Sequence, residues 1–270
     1  MTPTLPTSEF ASLVYGAGGV AADDPAEALH EASRLYPRVT PRGLVTALAM
    51  AATPEFQQTL DRASRLHPQR PSVDLADVPY PSARFRDLLH RRASRLPAAR
   101  APIALDRVAA VLRASYGAAL WRAGVHRRPV PSAGALYPLE LYVLPLDVSG
   151  LDRAAYHYAP FRHRLERLAD LDERAVVAAS VDPAVVERAS ALVVVTAVFW
   201  RSRFKYGVRG YRFALLEAGH LAQNLVLAAA ALRLSALPLG GFYDRSLDAL
   251  VAADGLDEAC VHAVLLGGPA

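Results

Sequence analysis

Residues 191–200 read ALVVVTAVFW, an uncharged run rich in β-branched side chains. It is far shorter than the ~20 residues that cross a bilayer, and polar and apolar positions do not alternate in it. It therefore predicts a strand buried on both faces. Soon afterwards comes YRFALLEAGHLAQNLVLAAAAL, residues 211–232, apolar almost all round a helix. Such a helix belongs in the interior, beside the strand. Outward from this pair, Leu139–Leu146 and Val261–Leu266 predict further strands, and Tyr156-His157-Tyr158 with Arg162–Leu168 predicts a short hairpin. Phe85–Arg92 and Leu105–Ser115 predict helices. The mixture is that of an α+β fold with a central sheet and a buried helix.

Residues 1–75 are alanine-rich and predict helices. Asp23-Asp24-Pro25 offers a cap followed by proline in the first turn, and Thr40-Pro41 repeats that signal before Gly43–Leu66. Pro68, Pro71, Pro79 and Pro81 then mark an extended connector. The expected division is a helical N-terminal segment over 1–75, contacting a partner or a dimer mate, and a main domain over 76–270.

Hydrophobic residues make up 53% of the 270, enough for a substantial core, and 21% charged residues is not the composition of a disordered chain. The net charge is +4, with arginines spread among acidic neighbours. No basic stripe with aromatic platforms is present, so nucleic acid is not expected as a partner, although a phosphate-bearing ligand would suit. The single cysteine, Cys260, excludes an internal disulfide and a cysteine-based zinc site. Met1–Phe10 lacks a basic n-region and an apolar core, and Gln223 and Asn224 interrupt the apolar run 221–232. A soluble, cytoplasmic protein with no membrane span is expected.

Lys205 is the only lysine among 30 lysines and arginines. Arginine keeps its charge in any protein setting, whereas a lysine can be tuned to exchange protons. Compositional drift could leave one survivor, but this one sits in Phe204-Lys205-Tyr206-Gly207, beside a phenol. Pro131-Ser132-Ala133-Gly134-Ala135-Leu136-Tyr137-Pro138 packs small residues directly before a predicted strand, as an ordinary turn would or as a flat ligand would require. His90-Arg91-Arg92-Ala93-Ser94-Arg95 could grip a phosphate or simply complement a helix C-terminus. Leu239-Gly240-Gly241-Phe242 reads as a loop with accessible backbone N–H groups. Gly16–Ala21 fits a loose dinucleotide-binding pattern, but Pro25 falls where the phosphate-binding helix should run, so a turn is the better reading. His126, His157, His163, His220 and His262 share no metal-ligand spacing with carboxylates and read as packing or surface residues, so no metal is expected.

In this order, Arg91–Arg95, Pro131–Pro138 leading into Leu139–Val143, Tyr156-His157-Tyr158, Lys205–Phe213, Ala218–Asn224 and Leu239–Phe242 resemble the nitroreductase-like flavoproteins. More narrowly they resemble the azoline dehydrogenase branch, the SagB/ThcOx type. The resemblance covers about residues 76–268. It implies a mostly antiparallel sheet around the long helix, and an FMN site at a homodimer interface, with 76–270 as the FMN-binding domain. Arg91 and Arg95 would hold the phosphate, and Pro131, Ser132 and Gly134 would line the isoalloxazine. Gly240 and Gly241 would present N–H groups near flavin N5, and Lys205 with Tyr206 would be the catalytic pair. A precursor peptide would be the substrate and a cyclodehydratase the partner. The chain departs from the family at Ala93, where serine is usual, with Ser94 one place later. It also carries no basic tail after Leu266, and a modest FMN affinity is expected.

Aromatising a peptide thiazoline or oxazoline removes two electrons. A base takes the ring α-proton, acidified by the adjacent C=N and carbonyl, and a β-hydrogen leaves as hydride. Consecutive helical residues point ~100° apart, so Lys205 and Tyr206 reach one substrate only from a helix end, which Gly207 and Gly210 predict. Two other readings share these motifs. One is an NAD(P)H-dependent flavin reductase acting on nitro compounds or dehydroamino acids, and the other a non-catalytic scaffold subunit of a heterocycle synthetase.

Overall fold

The structure, a computed structural model, describes residues 24–37, 49, 52–54, 64–120 and 126–269. The turn expected at 16–21 and most of the helix expected at 43–66 lie outside the described residues, and 64–66 are not helical. Seven strands form one sheet: β1 (Ser72–Asp74), β2 (Leu139–Pro145), β3 (Ala154–Ala159), β4 (Arg164–Asp170), β5 (Ala191–Val198), β6 (Leu234–Leu239) and β7 (Glu258–Pro269). Their order is β1-β4-β3-β2-β5-β7-β6, and every neighbouring pair is antiparallel. The helices are α1 (Pro25–Ala32), α2 (Phe85–Arg91), α3 (Leu105–Tyr116), α4 (Glu173–Ala178), α5 (Pro183–Glu187), α6 (Trp200–Tyr206), α7 (Val208–Ala231) and α8 (Asp244–Leu250).

All eight residues of β5 are buried, as its unbroken apolar run predicts. Val193, Val195 and Ala197 face α7 and α3, while Leu192 and Val194 face Val176 of α4, Val186 of α5 and Leu247 of α8. The period of two thus feeds two cores, one on each side of the sheet. Helix α7 is long and apolar enough, by length and composition, to cross a membrane. Here Ala214, Ala218, Leu221, Leu225 and Ala229 pack into the core. Contrary to the expectation of a helix buried all round, Leu215, Leu216, Gly219, His220 and Gln223 are exposed.

Asp24 and Pro25 start α1 as their types predict, with Asp24 Oδ1 accepting the Ala26 N–H at 2.8 Å. Arginines of α7 cap the far end. Arg209 donates to the Ser33 carbonyl at 2.9 Å, and Arg212 to the His30 carbonyl at 3.2 Å and to the Ser33 hydroxyl. Strand β1 lies inside the proline-rich connector, before the boundary expected at residue 76, and pairs with β4.

At the end of the sheet where β2 begins and β5 finishes, the second face turns polar. Glu140, His157, Glu166, Thr196 and Glu258 are all buried there. His157 lies with Nε2 at 2.9 Å from Glu140 and Nδ1 at 3.3 Å from Glu166. Arg201 donates to Glu140 at 2.6 Å, Arg164 to Glu166 at 2.7 Å, and Arg65 pairs with Glu258 at 2.5 Å. The connector closes the row, with the Arg65 N–H on Glu140 at 2.7 Å and the His67 N–H on Glu166 at 3.0 Å. Removing one partner from a buried pair of this kind costs about 3–5 kcal/mol, because the other is left charged and unmatched. His157 therefore is not the packing or surface residue that its spacing suggested.

Burial opposes the charge on His157, but Glu140 and Glu166 outweigh it and raise the imidazole above its ordinary 6.5. Burial likewise opposes the charges on Glu140 and Glu166, and Arg201 with His157 for the first, and His157 with Arg164 for the second, hold them below the carboxylate range, Glu166 at about 2. The carboxylate contribution is present above ~pH 4.5 and lost on acidification, whereas that of His157 is full below ~pH 6.5 and lost as pH rises through its folded value. Thermal melts of wild type and His157→Gln should thus differ most below ~pH 6.5 and converge as pH rises. A gap that stays constant across that range would show that His157 is uncharged in the fold.

Candidate active site

The loop Pro131–Pro138 enters β2 through a strained backbone. Gly134, Ala135 and Tyr137 have φ of 65°, 55° and 45°. Left-handed non-glycine residues cost about 1–2 kcal/mol each, and the loop is held by internal bonds. Ser132 Oγ accepts the Tyr137 N–H at 2.9 Å, and the Ser132 carbonyl accepts the Ala135 N–H at 3.0 Å. The Tyr137 ring stands edge-on to Tyr116, with Arg128 lying over both rings. Pro131 and Gly134 are exposed and Ser132 is half-buried.

Helix α6 stops at Tyr206 because Gly207 takes φ 55°, ψ −137°, and α7 sets off in a new direction. The turn is tight: a Cβ on Gly210 would lie 2.7 Å from the Ser202 carbonyl. This elbow is the helix end that Gly207 and Gly210 predict, and it brings both side chains to one place. A Cβ on Gly134 would meet the Tyr206 hydroxyl at 2.7 Å and Lys205 Nζ at 3.1 Å. Lys205 Nζ lies 5.5 Å from the Tyr206 ring centre, and Phe213 braces that ring edge-on at 5.0 Å.

The arginine cluster lies elsewhere. A cleft of about 450 Å³ is lined by Arg91, Ala93, Arg95, Val226, Ala230 and Arg233, among others, with no carboxylate among its described lining residues. Asp87 lies in an adjoining recess with Arg91 and Arg233. Ser94 and Arg95 bridge to Ala236 of β6, the edge strand, where the Arg95 N–H donates at 3.0 Å. Gly240 and Gly241 follow β6, about 13 Å along the strand direction from Ala236. Gly240 is open above its Cα, and the Gly241 carbonyl accepts the Val181 N–H at 2.9 Å, which pins the turn.

The expected residues therefore do not all meet. Gly134, Lys205 and Tyr206 gather at the start of α7, with Pro131 and Ser132 in the same loop and Ser132 reaching Glu217 further along the helix. Arg91 and Arg95 lie in the cleft with Val226, and Gly240 and Gly241 follow the edge strand about 13 Å beyond Ala236. From Val208 to Val226 the helix rises about 27 Å. The sequence reading missed Arg233 and Glu217. Arg233 holds φ 55° just beyond α7, where glycine is usual, and its only sequence signal is the lack of glycine between helix and strand. Glu217 is buried on α7, receives the Tyr116 hydroxyl at 2.9 Å and hydrogen-bonds the Ser132 hydroxyl. Burial pushes its carboxyl up to about 7.

His67, His157 and Glu166 also bring ligand-type atoms within 4.8 Å of one another. Both imidazole nitrogens of His157 face carboxylates, and three arginines already balance Glu140, Glu166 and Glu258. That charge balance suits an ion-pair row, with no excess negative charge for a dication.

Gly134→Ala should displace Lys205 and Tyr206 by steric contact and add about 1–2 kcal/mol of backbone strain. The protein has a single lysine, so isotope-labelled lysine gives one side-chain NMR signal. That signal should move in Gly134→Ala and stay in place in Asp170→Ala, an exposed residue at the end of β4. No movement in Gly134→Ala would refute the contact.

The profile of the "Nitroreductase family" matches residues 88–268. The Methanocaldococcus jannaschii protein named "Putative nitroreductase MJ1384" is 34% identical over 176 residues, covering 65% of this chain and 86% of that protein. The Escherichia coli microcin B17-processing protein McbC is 34% identical over 127 residues, covering 45% of this chain and 47% of McbC. This chain thus matches about half the length of McbC. Among solved structures, the E. coli microcin synthetase McbBCD complex with truncated pro-MccB17 bound aligns with a TM-score of 0.57 and 21% identity, over 86% of this chain and 95% of that one. At that identity the likeness concerns the fold. With the family profile covering well over half of its length, the chain belongs to the nitroreductase family.

Proposed function

We propose that the protein is an FMN-dependent dehydrogenase that oxidises thiazolines or oxazolines in a precursor peptide to thiazoles or oxazoles. The observation that carries this reading is the meeting of Lys205 Nζ and the Tyr206 hydroxyl over Gly134. A proton-accepting pair is what removal of an acidified ring α-proton needs. A flavin reductase fed by NAD(P)H needs no such pair for its donor. The likeness to a microcin B17-processing protein supports a peptide substrate, and the likeness to a chain of a microcin synthetase complex supports work within such an assembly, where a cyclodehydratase would be the partner.

The residues present fit FMN. Arg91, Arg95 and Arg233 offer three cationic forks to a phosphate in a cleft without a lining carboxylate, which compensates for Ala93 in the serine position. Gly240, about 13 Å along β6 from Ala236, leaves room for a flat ring. When bound, FMN supplies the two-electron acceptor for the substrate's β-hydride. Lys205 or Tyr206 takes the α-proton, Gly134 allows the close approach, and Ser132 with Tyr137 keeps the loop in shape.

Val208 beside the elbow and Val226 in the cleft lining lie about 27 Å apart along α7, so one subunit sets its Lys205 group and its phosphate cleft towards opposite ends of the helix. We infer that each site is shared, with the edge strand of one subunit and the Lys205 group of its mate in a homodimer. The exposed face of α7, with Leu215, Leu216 and small Gly219, suits that contact.

Lys205→Ala and Tyr206→Phe should each lower azole formation by on the order of 10²-fold or more, with FMN still bound. Mixing with an azoline peptide without oxygen should bleach the flavin; bleaching by NAD(P)H instead, with turnover of nitro compounds, would favour the reductase reading. Arg91→Ala and Arg233→Ala should release FMN, seen by loss of visible absorbance on gel filtration. Equal mixtures of Arg91→Ala and Lys205→Ala subunits should recover up to about one quarter of wild-type activity, since half the dimers would hold one intact site. No recovery would place each site within a single subunit.

A further inference from the structure

We propose that Glu140 is a positioning residue: fixed by His157 and by the connector, it anchors Arg201 and thereby holds α6 so that Lys205 and Tyr206 lie on Gly134. The inference rests on the reading of Lys205 and Tyr206 as the catalytic pair. Glu140 is the second residue of β2, the strand that the Pro131–Pro138 loop enters. Arg201 stands one helical turn before Lys205, on the same side of α6. The Glu140–Arg201 bond therefore ties the strand behind the loop to the helix that carries the pair. Both parts of the site meet through it.

Helix α6 has seven residues, no side-chain cap at its N-terminus, and Arg201 and Ser202 as its buried residues. Its contacts with α7 include the close approach of Gly210 to Ser202 at the elbow and the Phe213 ring edge-on to Tyr206. Glu140, by contrast, is determined from several directions. Oε1 accepts Arg201 Nη1 at 2.6 Å and the Arg65 N–H at 2.7 Å, and Oε2 faces His157 Nε2 at 2.9 Å and the Ser64 hydroxyl at 3.3 Å. Residues 64 and 65 belong to the segment expected to be a separate N-terminal unit, so that segment completes the anchor of the catalytic helix. A neutral side chain at 140 would leave Arg201 buried without its counter-charge, a shortened one would draw the carboxylate back from it, and in either case α6 would shift.

The test uses the full-length dimer with FMN bound and isotope-labelled lysine, comparing wild type with Glu140→Gln, Glu140→Asp and Arg201→Met. Leu192→Ala, a truncation four residues along β5 from Thr196 and opposite Leu144 and Leu265, serves as a control of lowered Tm. The single lysine signal should shift or broaden in the Glu140 and Arg201 variants. Turnover number should fall on the order of tenfold or more, with KM and FMN content near wild type, and Leu192→Ala should keep both signal and turnover. If Glu140→Gln fails to fold, Glu140→Asp carries the same expectation with a smaller loss. A lysine signal and turnover unchanged in the Glu140 variants, despite a lower Tm, would reduce Glu140 to a stabilising role and overturn the proposal. Full activity in Lys205→Ala together with a displaced signal in Glu140→Gln would sink the catalytic reading while leaving the anchor standing.

Discussion

The packing of α7 flat on the sheet is the constraint on which the rest of the molecule depends. Its 24 residues give a straight rule along which each functional element is set. The elbow and the Lys205–Tyr206 pair lie at its start, and Glu217 meets Ser132 further along. Asn224 holds the Pro129 carbonyl at 3.0 Å, and Val226 and Ala230 reach the arginine cleft. A helix buried along one side by Ala214, Ala218, Leu221 and Leu225 has little freedom to bend or slide. The spacing between the Lys205–Tyr206 pair and the arginine cleft is therefore a property of the core. A loop-borne site would have no such fixed separation.

Left-handed backbone marks the loop and the helix end that flank the candidate site, besides the turns at His163 and Ala252 elsewhere in the fold. Ala135, Tyr137 and Arg233 all adopt left-handed backbone that side chains disfavour. Each is held by something rigid: the Ser132 bonds and the Arg128–Tyr116–Tyr137 stack for the loop, and the end of α7 for Arg233. Arg107 donates to the Leu232 carbonyl at 2.9 Å and completes that helix end. Such conformations persist because the surroundings over-determine them, which keeps the site in one shape before any ligand arrives.

The legible parts of the sequence were those with a strong period or a rare residue. ALVVVTAVFW and the run 211–232 announced the central strand and helix because burial on both faces of a sheet leaves no polar interruption. Gly207 and Gly210 announced the elbow because only glycine fits a reversed φ or a 2.7 Å approach. What stayed hidden depends on contacts distant in the chain. Glu140 and His157 look like ordinary polar strand residues until Arg201 and the connector come round to meet them. The open face of α7 was equally invisible, since Leu215 and Leu216 carry the same apolar character as Leu221. Strand β1 escaped notice because prolines crowd its neighbourhood and it has only three residues.

The use of arginine elsewhere now has a physical reading. The cations that hold the fold, Arg201 on Glu140, Arg164 on Glu166 and Arg65 on Glu258, must keep their charge while surrounded by protein, and a guanidinium does so with fixed, forked geometry. A lysine in those places could shed its proton to escape burial and would loosen the row. The same property that disqualifies lysine from the ion-pair row suits it to a position where a proton is to be exchanged. Lys205 stands one turn from Arg201 on a single short helix, so the two chemistries sit side by side. On the proposed reading, the arginine fixes the helix through its permanent charge and the lysine exchanges the proton at its end.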